Sequence, residues 1–463
     1  MSDPTSHIFN PSVLREYDIR GIVGDTLGPA DAYGLGRTFA ALAHEQGARR
    51  IAVGRDGRTH SPELEDALVR GLTEGGIDVA RIGMGPSPML YFATYHLDVA
   101  GGIQVTGSHN PADYNGFKML LGGNSIFGAA IQDLGARAAA GSWSNGAGTV
   151  EDIDIAQAYV ERLVEDFQGG KFKIGWDAGN GAAGPVLEQL VERLPGDHHV
   201  IFADVDGLFP NHHPDPTVEA NLADLKRLVA YRKLDFGIAF DGDGDRIGAV
   251  DGSGRVVWGD QLLAILARPV IEALPGATII ADVKASQTLF DEIRAMGGTP
   301  LMWKTGHSLI KSKMKETGAP LAGEMSGHVF FKHRWYGFDD ALYAAVRLIE
   351  AIAASGKSLT QLMDAMPKSV ATPEMRFPVD AARKFVVVEE VRNRLIAEGA
   401  TVDSTDGVRV STGDGWWLLR ASNTQEVLVA RAEARDEAGR NRLMAQIDAQ
   451  LGQSGVIRAT VSH

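Results

Sequence analysis

The chain has 463 residues, too many for one hydrophobic core, so two to four domains are expected. Its 59 acidic and 45 basic residues leave a net charge of −14, which speaks against a nucleic acid or an anionic membrane as partner. Cysteine is absent, so disulfides and thiolate chemistry are excluded, and zinc would need His and carboxylate ligands alone.

The first 21 residues, MSDPTSHIFNPSVLREYDIRG, lack a basic stretch followed by an apolar run. No stretch of about 18 uncharged apolar residues occurs anywhere. A cytoplasmic protein is the expectation. A helix is predicted from Asp31, then the strand RIAVGRDG leaving into a Gly-rich turn. SPELEDALVRGLTEGG is a second helix, with Ser61 as N-cap and Pro62 in first position. IDVARIG and GGIQVTG are strands. The same alternation restarts at FKIGWDAGNGAAG (172–184) and again near Asp260. Strands alternating with helices predict α/β units with mostly parallel strands. The last hundred residues change character: adjacent strands lie between two helices, which predicts a smaller α+β domain. The expected domains are 1–153, 154–255, 256–367 and 368–463.

Ligands in open α/β sheets gather beyond the carboxyl ends of strands, so the Gly-rich loops there are the candidate sites. The first is VTGSHNPADYNGFKM (105–119), read as a polar turn holding Ser108, His109 and Lys118. An acyl nucleophile with His109 as base is one reading. The Gly-x-Ser-x-Gly elbow is missing, however, and catalytic triads are assembled from separated segments. The second loop, DGDGDR (241–246), alternates Asp241, Asp243 and Asp245 with glycines. Like charges so close repel unless a cation joins them, and three oxygen ligands suit Mg²⁺. An EF-hand would need Gly where Arg246 stands and Glu where Gly252 stands. With a metal loop present, Ser108 reads as a phosphoryl carrier.

The third loop, GEMSGH (323–328), brings Glu324, Ser326 and His328, a set suited to hydrogen bonds with a polyol. Upstream, KTGHS offers Lys304, His307 and a helix start at Ser308. Lys284 and Arg20 are candidate anion contacts, though an isolated surface cation is the commoner case. RASNT (420–424) supplies Arg420, Ser422, Asn423 and Thr424 in a turn between strands. A phosphate clamp and a plain polar hairpin fit these residues equally well. His212 and His213, flanked by prolines, read as a structural turn.

TGSHNPADYNGFK, DGDGDR, GEMSGH and RASNT, in that order and opened by YDIRG, resemble the α-D-phosphohexomutases, most closely their bacterial phosphomannomutase/phosphoglucomutase branch. The resemblance covers essentially the whole chain. It implies three similar α/β domains with mixed sheets around a central cleft, plus a flexible C-terminal α+β domain. It implies a phosphoserine at Ser108, which with Asp241, Asp243 and Asp245 would hold Mg²⁺. It implies sugar contacts from Glu324, Ser326 and His328, and a phosphate clamp from Arg420, Ser422, Asn423 and Thr424. Tyr17, Arg20, Lys118, Arg246, Lys284 and His307 match cleft positions, with His109, Lys118 and Arg20 as proton-handling candidates. The implied reaction interconverts hexose 6-phosphates and 1-phosphates of mannose and glucose through a hexose 1,6-bisphosphate, in a protein expected to be a monomer. Met325 favours that group over glucosamine mutases, where Gln is usual. One departure stands out: the family proline shortly after Thr424 is missing, and Gln425 and Glu426 follow instead.

Overall fold

The structure, a computed structural model, describes residues 5–423 and 425–457. Four sheets follow one another along the chain. The first runs Ile19–Ile22, Tyr114–Leu121, Gly101–Val105, Arg50–Arg55, Asp78–Met84, Val150–Asp152; the last four strands are parallel, and Tyr114–Leu121 is antiparallel to both its neighbours. The second and third sheets repeat this mixture. The last sheet is antiparallel throughout, with helices Ala381–Ala397 and Glu437–Gln453 contributing to its core.

The first three sheets share one device. A parallel strand ends, a Gly-rich loop follows, and the chain returns antiparallel beside it. Gly101–Val105 returns as Tyr114–Leu121, Phe236–Phe240 as Ile247–Asp251, and Leu321–Gly323 as Val329–Phe331. Each predicted loop is therefore a hairpin tip, rigidly held on both sides. The polar turn expected over 105–119 stops at residue 113, and Lys118 lies within a strand. Alternation decides this: Phe117, Met119 and Leu121 enter the first core while Lys118 points to the opposite face. Gly116 permits the pairing, because a Cβ there would lie 2.0 Å from the Ile19 carbonyl.

One apolar core runs through all three α/β units, from Leu90 and Phe92 through Trp176 and Phe236 to Leu263 and Phe331. Helix Ala341–Ser355, apolar nearly all round, is buried within it and packs against Gly259–Ala273. The last unit has its own core and meets the third through Val283, Trp416 and Leu418. Among the described residues no helix is long and apolar enough to cross a membrane.

Helix Ser61–Glu74 corrects one expectation. His60 precedes it, Ser61 is its first residue and Pro62 its second. Ser61 Oγ does not cap the helix but donates to buried Asp56 at 2.5 Å. On the same helix Glu65 is buried with one oxygen unpartnered and the other 3.2 Å from Arg55 Nε. Burial outweighs the pull of Arg55 and raises its pKa from 4.5 to about 7. The folded state then holds a proton that the unfolded chain has already released, so this stability is full below pH 4.5 and is lost as pH rises through 7. Glu65→Gln removes that loss. It should stabilise the protein by roughly 1–3 kcal/mol at pH 8 and by much less at pH 5. Thermal melts at the two pH values check this; an equal shift at both would contradict it.

Candidate active site

The three hairpin tips nest against one another, and glycines allow the approach. A Cβ on Gly242 would lie 2.5 Å from the Ser108 carbonyl, and one on Gly327 would lie 2.5 Å from the Ile247 carbonyl. Arg246 and His328 form a bridge between the second and third tips. Ser108 sits at the centre, 3% exposed, with φ at +49°. Its Oγ lies 3.1 Å from His109 Nδ1 and donates to Asp241 Oδ2 at 3.2 Å. Arg20 donates to the Gly107 carbonyl at 2.7 Å and to Asn110 at 2.6 Å, and pairs with Asp18.

Asp241, Asp243 and Asp245 are wholly buried, with ligand oxygens within 4.8 Å of one another. Asp241 Oδ1 is taken by the amides of Asp245 and Arg246, at 3.0 and 3.1 Å. Lys118 Nζ donates to Asp243 at 2.7 Å and also bonds Asp245. Burial and the two neighbouring carboxylates push the Asp241 pKa well up. Burial acts the same way on Asp245, but Lys118 and His328 outweigh it and hold that carboxyl well below its usual range. Among the described residues Asp243 Oδ1 has no hydrogen-bond partner. All-oxygen donors with an orphaned oxygen fit a hard divalent cation.

His328 lies between this cluster and the third tip, 3.2 Å from Asp245 and 2.9 Å from both Glu324 and Ser326 Oγ. Burial would lower its pKa, but the Asp245 carboxylate, helped by Glu324, raises it to about 9. Burial together with Arg246 and Arg20 keeps His109 well below the ordinary histidine value. His307 opens helix His307–Thr317 one residue before the expected start at Ser308, and its ring faces those of Tyr17 and His328. Gly306 N donates to Glu324 at 2.6 Å, which ties helix entry to the third loop.

The fourth loop approaches from the last unit. Tyr17 OH donates to the Thr305 carbonyl at 2.8 Å and accepts from Asn423 at 2.7 Å, so the first, third and last units meet at one hydroxyl. Arg420, 5% exposed, is held by Asp406 at 2.9 Å. Lys284 reaches Glu374 at 3.3 Å. Ser422 is buried beside Arg420, whereas Gln425 and Glu426 are exposed. Thr424 lies outside the described residues. Lys304 is exposed. His212 bonds Asp177 at 2.9 Å and the His213 carbonyl at 3.0 Å, the structural turn expected of it. Sequence reasoning missed Asp406 and Asp56, single carboxylates in loops with no patterned neighbours. Tyr17→Phe should raise KM about 3- to 10-fold with little change in kcat, since it deletes two neutral hydrogen bonds at the junction. Steady-state kinetics check it, and an unaltered KM would show that the junction does not bear on substrate binding.

Four phosphoglucomutase/phosphomannomutase domain families match in chain order: alpha/beta/alpha domain I over residues 12–144, domain II over 157–254, domain III over 258–370 and the C-terminal domain over 374–450. The phosphomannomutase/phosphoglucomutase of Pseudomonas aeruginosa is 44% identical over 452 residues, 97% of this chain and 98% of that protein. The phosphoglucomutase of Neisseria gonorrhoeae is 45% identical over 444 residues, 95% of this chain and 96% of that one. A solved family protein from Burkholderia thailandensis is 43% identical, with a TM-score of 0.92 and coverage of 97% and 98%. The chain therefore belongs to the phosphoglucomutase/phosphomannomutase family, whose named members are mutases of the isomerase class. An Aspergillus fumigatus N-acetylphosphoglucosamine mutase, solved with glucose 1,6-bisphosphate, shares the fold at 14% identity and a TM-score of 0.63.

Proposed function

We propose that this chain interconverts the 6-phosphates and 1-phosphates of mannose and glucose, with Ser108 as phosphoryl carrier. The observation that carries the proposal is the placement of Ser108 Oγ 3.2 Å from Asp241, in a buried carboxylate cluster that the third tip joins through His328. Mg²⁺ held by Asp241, Asp243, Asp245 and Ser108 would supply the positive charge that offsets the phosphoryl oxygens.

Ser108 gives its phosphoryl to the free hydroxyl of a hexose monophosphate. The hexose 1,6-bisphosphate turns within the cleft, and the opposite phosphoryl returns to Ser108. Arg20, Lys118 and Arg246 supply cations nearby: Arg20 binds the Gly107 carbonyl, Lys118 bonds Asp243 and Asp245, and Arg246 donates to His328. His109 Nδ1, 3.1 Å from Ser108 Oγ, is a candidate for handling the proton of that hydroxyl when the carrier is free. Glu324 and Ser326, with His328, orient the sugar hydroxyls. Arg420, Ser422, Asn423 and Thr424, joined by Tyr17, Lys284 and His307, hold the phosphate that is not reacting. Its binding energy orients the far end. Closure of the last unit excludes water that would hydrolyse the phosphoserine.

On this reading the enzyme works as a cytoplasmic monomer, since one chain supplies every loop. Domains 1–153, 154–255, 256–367 and 368–463 carry the phosphoserine, metal, sugar and phosphate loops in turn. Conversion of mannose, glucose and glucosamine 1-phosphates, each primed with a hexose 1,6-bisphosphate, tests it. Turnover of the first two above the third supports the proposal; turnover of none, with no phosphoryl mass on Ser108, overturns it.

A further inference from the structure

Beneath the Ser108 loop lies a guanidinium that the proposed chemistry does not use. Arg58 follows strand Arg50–Arg55 and is 1% exposed. Its terminal nitrogens donate to four main-chain carbonyls of one loop: Ser108 at 2.8 Å, Asn110 at 2.6 Å, Tyr114 at 3.0 Å, and Pro111. Nε lies 3.2 Å from Asp56 Oδ2, an ion-pair contact without hydrogen-bond alignment. Asp56 in turn accepts from Thr106 Oγ1 at 2.9 Å and from Gly107 N at 3.0 Å. The arrangement leaves no room at Gly107, where a Cβ would fall 2.2 Å from Arg58 Nε. The second unit closes the other side: the Phe209 ring lies 5.1 Å from the guanidinium carbon, and a Cβ on Gly207 would meet Arg58 Cα at 2.7 Å.

A planar fork of five donors is a template, because its directions are fixed with respect to one another. Such a template has work to do here. Ser108 carries a Cβ yet sits at φ +49°, a region that side chains disfavour and that persists only where surroundings over-determine it. We propose that Arg58 is a positioning residue for phosphoryl transfer: by gathering the carbonyls of residues 108, 110, 111 and 114 it holds Ser108 left-handed, with Oγ aimed at Asp241. The inference rests on Ser108 being the phosphoryl carrier.

Arg58 touches no sugar, so its effect falls on kcat. It acts on both half-reactions alike, because the same serine gives and retakes the phosphoryl. Lysine at this position is a point donor and cannot span four carbonyls. Arg58→Lys should lower kcat about 100-fold, as a displaced reacting atom does, with KM changed less than about threefold. Kinetics on wild type and variant in both directions read this, alongside thermal melts. A wild type that isomerises nothing overturns the carrier reading and this inference with it. An active wild type beside a variant whose kcat stays within about twofold, or whose loss lies in KM alone, overturns the inference and leaves the carrier reading intact. Should Arg58→Lys fail to fold, Phe209→Leu carries the test. It removes the ring that lies 5.1 Å from the guanidinium carbon and so loosens Arg58 from the far side. A drop in kcat of about 3- to 10-fold at constant KM supports the inference, and an unchanged kcat overturns it.

Discussion

Ser108→Ala is expected to lower mutase turnover by roughly 10⁴-fold or more, and intact mass should show no phosphoryl group on the variant. The size follows from the role. A carrier whose own O–P bond breaks once and re-forms once per cycle has no partial substitute, whereas a binding residue does. Two neighbouring hydroxyls are committed: Thr106 Oγ1 lies 2.9 Å from Asp56 and 3.2 Å from Asp243, and Ser87 Oγ donates to Asp243 at 2.5 Å. Folding should be little affected. Alanine has the same Cβ as serine, so backbone strain at φ +49° is unaltered, and the lost hydrogen bond to Asp241 is long at 3.2 Å. A melting curve like that of wild type together with lost turnover is the expected pair of results. A variant that still isomerises a hexose phosphate would remove Ser108 from the mechanism.

Lys118→Met should destabilise the metal-free protein by about 3–5 kcal/mol, the usual cost of deleting one member of a buried ion pair. Lys118 is 4% exposed, and its ammonium is the group holding both Asp243 and Asp245, which are fully buried. Methionine fills similar volume, so the loss is electrostatic rather than a cavity. Divalent cation binding should recover much of it. A ligand that binds only the folded state at 100 times its Kd adds about 2.7 kcal/mol. The ion meets no competing ammonium in the variant. Chemical unfolding in EDTA and in excess Mg²⁺ measures both quantities, and the Mg²⁺-dependent gain should be larger for Lys118→Met than for wild type. Equal stability of the two proteins in EDTA would show that the buried carboxylates are neutralised by protons rather than by Lys118. Turnover falls as well, since Lys118 holds two of the carboxylates proposed to bind the metal.

The motif loops were legible because their chemistry is local. Alternation of Asp with Gly in DGDGDR has few purposes, and an apolar run before each loop marks the strand that presents it. The return strands were less so. Tyr114–Leu121 begins inside a polar stretch, and its pairing with Ile19–Ile22 depends on residues about a hundred positions away. Ser61 shows the same limit: a serine at a helix start reads as a cap, but Asp56 lies within reach and takes its hydroxyl. Arg58 had no signal at all, because four backbone carbonyls leave no trace in side-chain pattern.

By itself the sequence determined the residue types, the α/β alternation, the change of character in the last hundred residues, and the order of the four loops. These are properties of short segments, set by periodicity, turn chemistry and local charge. Only the tertiary structure decided that the loops are hairpin tips nesting through glycines, that Lys118 joins two aspartates of another unit, and that Tyr17 meets Asn423 across more than four hundred residues. Those contacts depend on how sheets pack against one another, and packing is decided by the shape of whole faces rather than by any stretch of chain.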